Sequence, residues 1–546
     1  MPRLSTLVLT AFVSVPSLGA QVPSTAPQET HTHDPAAPRL GAVHFTTSCE
    51  PAVQADFDRG IALLHSFWFS GSVAAFEGVL QRDPGCAMAH WGIAMSWWSN
   101  PFGGFRTPKA LAEGLAAVEA GLALTTGTPR ERAYLDAAAQ LFRDTATRDQ
   151  RTRTVAYEHA MAALTAAHPD DVEGRIFYAL ALAQTAPPTD KSYANQLEAA
   201  SILEEEFARQ PEHPGLAHYI IHAFDVPPLA SRGLNAARRY AAIAPDAPHA
   251  LHMPSHTFTR LGLWQDSIDT NLKSAEAAHR DHGAASEELH ALDYQVYAFL
   301  QTGQDRAARA VLDRVPALVA AVPNGGAGNA APPTAGYYAA AALPARYALE
   351  RAAWDDASAL VPPGTPVPWA EAVTHFARAL GAARSGRVEF ARQEVARLAA
   401  LSRTLAEAKD AYWAEQVEIE RLGAAAWTTL AEGRSEDALT LMREAVTRED
   451  ATEKAAVTPG PIKPARELLG EMLLELKRPV EALAAFEATL TKEPNRFRAE
   501  YGAARAAQAA GRRQTAVAHY AQLLQICRRA DTPARPELVE AAAATR

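Results

Sequence analysis

Two His-x-x-x-His pairs are the residues of this chain best placed to do chemistry. They are His218/His222 and His252/His256, and 34 residues separate the corresponding members. Imidazoles four residues apart share one face of a helix, and neutral imidazoles are ligands of zinc and copper. His249 adds a third imidazole three residues before His252. The pattern predicts a site for a divalent metal, zinc or copper, carried on helices.

The interval of 34 residues is also the length of a helix–turn–helix repeat that stacks on its neighbours. A second pattern, with spacings of 16 and then 8 residues, recurs in Gly60, Phe76 and Pro84 and in Gly470, Phe486 and Pro494. A small residue lets helices cross closely, an aromatic fills the core, and a proline stops the helix. With these positions the chain resembles tetratricopeptide-repeat proteins. The resemblance implies an all-α solenoid, a superhelix of antiparallel helix pairs without a sheet.

In that family, positions 2, 5, 9, 12 and 13 of the first helix of a repeat face a concave groove. With Pro214 and Pro248 as position 1, the resemblance implies one wall made of His218, His222, Asp225, His249, His252, His256, His290, Asp293 and Tyr297. Thr259 and Arg260 extend this wall. The Pro-rich stretch 183–197 interrupts a repeat and offers Lys191, Tyr193 and Asn195 as further ligand contacts, unless it is a simple insertion.

Three interpretations of the wall remain open. The imidazoles could bind a divalent metal, form a metal-free polar groove for a peptide, protein or small molecule, or serve only the structure. The sequence predicts a binding or interaction scaffold with a His-rich metal or ligand site. The alternative is a zinc- or copper-dependent enzyme acting on a small molecule or peptide in the groove. Asp225 or Asp293 would then act as the base, and Tyr219 or Tyr297 would polarise the substrate.

Composition and the N-terminus limit the partners and the compartment. The 546 residues carry a net charge of −10 and no basic stripe, which disfavours nucleic acid as a partner. Residues 1–20 have a short apolar core after Arg3 and small residues before Gln21, the pattern of a signal peptide cleaved near Ala20. The core is too short to span a membrane. We therefore expect an exported protein, periplasmic or secreted.

The three cysteines fit an exported protein with one disulfide. Cys49 comes just before the first predicted helix and Cys86 just after the second, so both lie at one end of a helical hairpin. We predict a Cys49–Cys86 disulfide, with Cys527 alone in the last helix. The alternative is three buried thiols.

The predicted organisation has six parts. They are a signal peptide (1–20), a flexible tail (21–48), an N-terminal solenoid with the His-lined groove (49–322), a linker (323–336), a C-terminal helical solenoid (337–530) and a tail (531–546). The phrases APPTDKSYANQL, HPGLAHYIIHAFD and PHALHMPSHTFTRLGLW also resemble a group of exported bacterial tetratricopeptide-repeat proteins. That resemblance implies a shared site and the same cysteine pair, and it implies no particular activity.

Overall fold

Consecutive helices joined by short turns build the part of the protein that the structure describes. The structure is a computed structural model, and it describes residue 1 and residues 38–281, 284–322 and 328–546. Within these ranges every regular element is a helix, and no strand occurs. The predicted all-α fold of tetratricopeptide type is confirmed. The predicted signal peptide lies, apart from its first residue, outside the described residues.

Residues 54–301, apart from the undescribed 282 and 283, contain fourteen α-helices. They are α1 (Gln54–His65), α2 (Phe69–Arg82), α3 (Ala87–Trp98), α4 (Pro108–Ala123), α5 (Pro129–Phe142), α6 (Gln150–Ala167), α7 (Val172–Thr185), α8 (Ala194–Arg209), α9 (Pro214–Ala223), α10 (Leu234–Ile243), α11 (Pro248–His252), α12 (Pro254–Arg260), α13 (Trp264–Arg280) and α14 (Ala285–Gln301). No described helix is both long enough and apolar enough to cross a membrane.

The described residues from 305 onward contain thirteen more. They are α15 (Asp305–Leu312), α16 (Val315–Ala320), α17 (Pro333–Glu350), α18 (Trp354–Ser358), α19 (Pro368–Arg384), α20 (Val388–Glu407), α21 (Ala411–Ala431), α22 (Ser435–Asp450), α23 (Ala465–Glu475), α24 (Pro479–Lys492), α25 (Phe497–Ala509), α26 (Arg513–Ile526) and α27 (Pro536–Ala544). Residues 531–546, predicted to be a tail, thus include α27, because Leu538 and Ala541 are buried.

Glycine–phenylalanine packing sets the close spacing of the repeat helices. A Cβ atom on Gly470 would lie 2.8 Å from the ring of Phe486, and one on Gly502 would lie 2.4 Å from it. Phe76 fills the same role near the N-terminus, since a Cβ atom on Gly60 would lie 2.7 Å from its ring. One aromatic ring therefore occupies the space that two glycines leave open, which explains the spacing seen in the sequence.

The helices that carry the histidines are the first helices of successive repeats. They are α9, the α11–α12 pair and α14, and α10 and α13 separate them in the chain. Proline stands in the first turn of α9, α11 and α12, where its missing N–H leaves no hydrogen bond unmade. Met253 keeps helical dihedral angles between α11 and α12, so the helical spacing of the histidines continues across Pro254.

Residues 451–464, between α22 and α23, lie against the histidine-bearing helices. We call them the covering segment. Lys191 donates hydrogen bonds to the carbonyl of Thr452 and the carboxylate of Glu453, each at 2.7 Å. The Tyr294 hydroxyl donates to the carbonyl of Thr458 at 3.0 Å. The wall predicted as an open groove is therefore covered by the chain itself. The predicted linker 323–336 lies partly outside the described residues, and the two-part division stays a prediction.

Candidate functional site

The six predicted metal-ligand histidines form two adjacent sets of three. The first histidine set is His218, His222 and His249, and the second histidine set is His252, His256 and His290. Within each set, one nitrogen from each ring lies within 4.8 Å of the others. The first set joins α9 to α11, and the second joins α11 and α12 to α14. The repeat register thus brings together imidazoles that are far apart in the chain.

The two histidine sets touch each other. The ring centroids of His222 and His256 are 5.9 Å apart, and those of His249 and His252 are 5.8 Å apart. All six imidazoles therefore belong to one continuous cluster, in which every ring has a histidine neighbour.

Hydrogen bonds fix the tautomers of two rings in the second set. His252 Nδ1 lies 2.7 Å from Asn271 Oδ1, and the amide nitrogen of Asn271 donates to the Ser267 carbonyl. His256 Nδ1 lies 2.9 Å from Asp225 Oδ2. Both partners are acceptors, so both Nδ1 atoms must carry the proton, and each neutral ring keeps a lone pair on Nε2. These two Nε2 atoms face each other at 3.1 Å.

The first set repeats part of this arrangement. His218 Nδ1 donates to the backbone carbonyl of His65 at 2.6 Å, which leaves a lone pair on Nε2. That atom lies 3.1 Å from His222 Nε2. Neither ring nitrogen of His249 has a hydrogen-bond partner among the described residues. A buried imidazole in that condition points to a ligand that supplies the missing interaction.

In the second set, His290 is the ring that resembles His249. Its buried Nδ1 has no hydrogen-bond partner in the part of the chain that the structure describes. Each histidine set therefore contains one ring with a buried nitrogen that forms no hydrogen bond with any described residue.

Burial keeps these imidazoles neutral. Five of the six are at most 6% exposed, and His222 is partly buried. Burial lowers the pKa of His218 and of His290 to about 3, and it lowers the pKa of His249 and His252 well below the usual value. Neutral imidazole is the form that ligates a metal, so the cluster is ready to bind at neutral pH.

Aromatic side chains enclose the cluster. The ring of Phe67 stacks on His249 at 5.5 Å and meets His218 edge-on at 4.3 Å. Phe102 stacks on His222 at 4.3 Å, and Tyr294 packs on His256 at 4.9 Å. Phe67 adopts a φ of +54°, and Ala352, Lys409 and Lys477 adopt similar values in other turns between helices, so this conformation belongs to the turn. Sequence spacing gave no sign of Phe67 or Phe102, because they come from distant turns.

Asp225 connects the second set to two cations. Its carboxylate accepts hydrogen bonds from His256, from Arg260 Nε at 2.8 Å and from Lys454 Nζ at 3.0 Å. Burial alone would raise the pKa of Asp225, but Lys454 and then Arg260 hold it well below the usual value. Burial lowers the pKa of Lys454 to about 8. Asp225 is therefore an ionised partner that orients His256.

The other two predicted catalytic groups lie in a different network. Asp293 pairs with Arg346 at 3.0 Å, and burial raises its pKa. The hydroxyl of Tyr297 hydrogen-bonds Glu493 and Arg496. Both side chains face α17 and the C-terminal repeats, away from the histidine sets. Tyr294, one helical turn before Tyr297 on α14, is the tyrosine that contacts the histidines.

The remaining predicted ligand contacts have structural partners. Lys191 and Tyr193 both bond Glu453 of the covering segment, with Tyr193 at 3.0 Å. The amide of Asn195 donates to the Leu182 carbonyl and to Thr185, and Thr259 bonds Ser267. These residues anchor the covering segment or their own repeats.

A third group offers an internal comparison. His65 and His213 both contact the carboxylate of Glu173 at 2.9 Å. The other nitrogen of His65 bonds the Tyr219 hydroxyl at 2.9 Å, and His213 Nδ1 accepts from the Leu216 N–H. Every ring nitrogen has a protein partner, as expected of structural histidines.

A disulfide joins Cys49 and Cys86, whose Cα atoms lie 4.8 Å apart. It connects the start of the first hairpin to its end, before α1 and after α2. Cys527 is buried and unpaired with any described cysteine.

No family model matches the chain, and no curated protein matches it. Among solved structures, the human IFIT1 dimer with m7Gppp-AAAA is 11% identical, covers 81% of this chain and 90% of its own, and has a TM-score of 0.35. The P58(IPK) TPR domain is 15% identical, covers 68% and 98%, and has a TM-score of 0.19. The tetratricopeptide character of this chain rests on its own 34-residue register and on its glycine–phenylalanine packing.

Proposed function

We propose that the protein is a tetratricopeptide-type scaffold whose function is to bind a transition metal, zinc or copper, in the buried histidine cluster. One observation carries the proposal. The Nε2 atoms of His252 and His256 face each other at 3.1 Å while both protons are engaged at Nδ1.

Two lone pairs at this distance repel each other unless a cation lies between them. Metal–imidazole bonds of about 2.0–2.1 Å at ordinary coordination angles place two ligand nitrogens about 2.9–3.6 Å apart. The separation of His252 and His256 lies in this range. Asp225 fits the same interpretation, because metal-ligating histidines commonly donate their other N–H to a carboxylate or carbonyl that orients the ring.

A peptide or protein ligand is less well supported as the occupant of this wall. The covering segment already lies over it, and Lys454 of that segment contributes an ion pair with Asp225. A partner would have to displace these contacts. We therefore assign the scaffold's buried wall to a metal and leave partner binding to other surfaces.

A metal-dependent enzyme is the second candidate, favoured by the number of ligands. Three protein ligands and one open position are typical of catalytic zinc, whereas structural zinc has four protein ligands. Arg260 and Lys454 also line a cavity of about 70 Å³ that the covering segment helps to form, with Trp413 and Tyr412 on its wall and none of the six histidines. Measured in the same way, a water molecule needs about 10–15 Å³, so the cavity holds only several water-sized volumes. The substrate would therefore be a small molecule.

We also infer export to an oxidising compartment. The predicted signal peptide supports it, and the Cys49–Cys86 disulfide is of the kind that persists outside the cytosol. N-terminal sequencing of the protein from its native host should begin at Gln21. A mature chain that still begins at Met1 would refute the inference.

Isothermal titration tests the metal proposal. Untagged protein is stripped with a chelator and titrated with zinc and with Cu(II). We expect binding at micromolar concentration or tighter, and at least about tenfold weaker binding for His252→Ala, because a ligand is lost. His168→Ala, in a residue outside both sets, is the matched control and should bind normally. Absence of binding by either metal, or an equal effect in the control, would reject the proposal.

A further inference from the structure

We propose that the two histidine sets are two complete sites that hold an adjacent pair of copper ions, bound as copper(I). This inference rests on the proposed metal-binding function and goes beyond it in the number, oxidation state and identity of the ions.

The unpartnered nitrogens indicate two ions. A single ion bound between His252 and His256 would satisfy the second histidine set but would leave both nitrogens of His249 unpartnered. A single ion in the first set would leave Nδ1 of His290 unpartnered and the facing lone pairs of the second set unrelieved. An unsatisfied buried polar group costs about 1–3 kcal/mol. One ion in each set removes these costs except at the second nitrogen of His249, because an ion binds only one nitrogen of a ring.

The sets are complete without sharing a residue. Each contributes three imidazoles whose candidate ligand atoms lie within 4.8 Å of one another. Between the sets, the ring centroids of His222 and His256 are 5.9 Å apart and those of His249 and His252 are 5.8 Å apart. The sets therefore meet through neighbouring rings. The two ions would therefore be adjacent, with imidazole rings between them and around them.

The charge of the surroundings favours a monovalent ion. Both sets consist of neutral imidazoles, and the nearby Asp225 is already paired with Arg260 and Lys454. Desolvating an ion costs energy in proportion to the square of its charge, as does the repulsion of two equal ions. The electrostatic cost of binding two divalent ions would therefore be about four times that of binding two monovalent ions.

Copper is the metal that meets this condition. Imidazole ligands suit zinc, copper, iron and nickel, and of these copper has a common monovalent state. The stacked rings of Phe67 and Phe102 give the first set an apolar surround, which excludes water and lowers the local dielectric constant. A low dielectric constant further penalises a second unit of charge on each ion.

A competition titration counts the ions. Chelator-stripped wild-type protein is titrated anaerobically with copper(I) in the presence of a chromophoric copper(I) chelator. We expect two copper ions per chain. The first-set variant His222→Ala/His249→Ala and the second-set variant His252→Ala/His290→Ala should each retain one, provided that far-UV circular dichroism shows an unchanged helix content. One ion per wild-type chain would overturn the pair.

X-ray absorption on the copper-loaded wild type gives a second readout that needs no variant. We expect a copper(I) edge and three nitrogen neighbours per copper. Sulfur neighbours, or two bound zinc ions with no copper(I) taken from the competitor, would overturn the copper assignment while leaving metal binding intact. Absence of any metal binding, by contrast, would reject the proposed function itself.

Discussion

In the C-terminal repeats buried charges meet opposite charges, whereas in the N-terminal repeats buried imidazoles meet one another. Arg496 is fully buried and pairs with Glu350 and with Glu467, the latter at 2.6 Å. Lys463 lies 2.7 Å from Glu467. In the histidine sets all six groups are of one chemical type, and nitrogens of His249 and His290 lack partners among the described residues.

The difference distinguishes structure from binding. Buried polar groups that serve the fold are hydrogen-bonded within it, because an unpaired one is costly. The ion pairs around Arg496 follow this rule apart from one oxygen of Glu350, and the His65–Glu173–His213 group follows it fully. The histidine sets depart from it at His249 and His290, and the proposed ions would each supply a ligand bond to one of these rings.

The largest expected effect is the loss of stability when the C-terminal network is broken. Arg496→Met leaves Glu350 and Glu467 buried without their shared cation, and we expect a loss of about 3–5 kcal/mol in the free energy of unfolding. Denaturant titration measures it. Arg434→Met is the control, since Arg434 pairs with Glu432 and Asp437 on the surface and should matter little. Equal stability of the two variants would contradict the structural role of the network.

The next effect compares two buried histidines. His249→Ala removes a ring that has no hydrogen-bond partner among the described residues, whereas His65→Ala removes one that bonds Glu173 and Tyr219. We expect His249→Ala to weaken metal binding at least tenfold, equal to about 1.4 kcal/mol, with the smaller loss of stability in the stripped protein. His65→Ala should show the reverse. The comparison fails if both variants bind metal equally.

Acid should destabilise the metal-free protein. The pKa values of His218 and His290 are about 3 in the folded chain, against about 6.5 in the unfolded chain. Between these values the unfolded state binds more protons, so the stability that is fully present above pH 6.5 is lost as the pH falls. Each such histidine lowers the free energy of unfolding by up to about 1.4 kcal/mol for each pH unit.

Thermal unfolding of chelator-treated protein between about pH 7.5 and about pH 5 measures this loss, because the window lies on both sides of the unfolded-state pKa. The metal-loaded protein is the comparison: it should melt at a higher temperature at each pH but lose stability at a similar rate, because neither folded form binds protons at these nitrogens in this window and the unfolded chain is the same. A melting temperature that does not change with pH in the stripped protein would contradict the burial of neutral imidazoles.

The smallest effect concerns the covering segment. Lys191→Ala removes two hydrogen bonds to residues 452 and 453 at the partly exposed edge of that segment. We expect a change in stability of less than about 1 kcal/mol and a faster release of metal to a chelator. Exposed Lys273 supplies the matched control variant. Unchanged release kinetics would show that the segment does not limit access.

The sequence predicted the histidine cluster because it depends on a regular period. A 34-residue repeat places equivalent positions side by side, so spacing alone brought His218, His222, His252 and His256 together. The same reasoning misplaced the roles of Asp293 and Tyr297. α14 is buried on several sides, and these residues bond Arg346 and Arg496 of later helices instead.

The 34-residue period could not predict contacts between residues that lie far apart in the sequence. Lys454 lies 229 positions from Asp225, and Phe67 comes from a turn between α1 and α2. No local pattern relates these residues to the histidines. The covering segment therefore changes the expected open groove into a buried site, which only the folded chain reveals.

The most direct test of the central claim is the metal content of the protein as isolated. Untagged wild-type protein is produced in medium supplemented with zinc and copper, purified without chelators and analysed by elemental mass spectrometry. We predict bound zinc or copper in amounts comparable to the protein. The His252→Ala/His256→Ala variant, checked by circular dichroism to be folded, should contain much less metal. Only trace metal in the wild type, or the same content in the folded variant, would contradict the account.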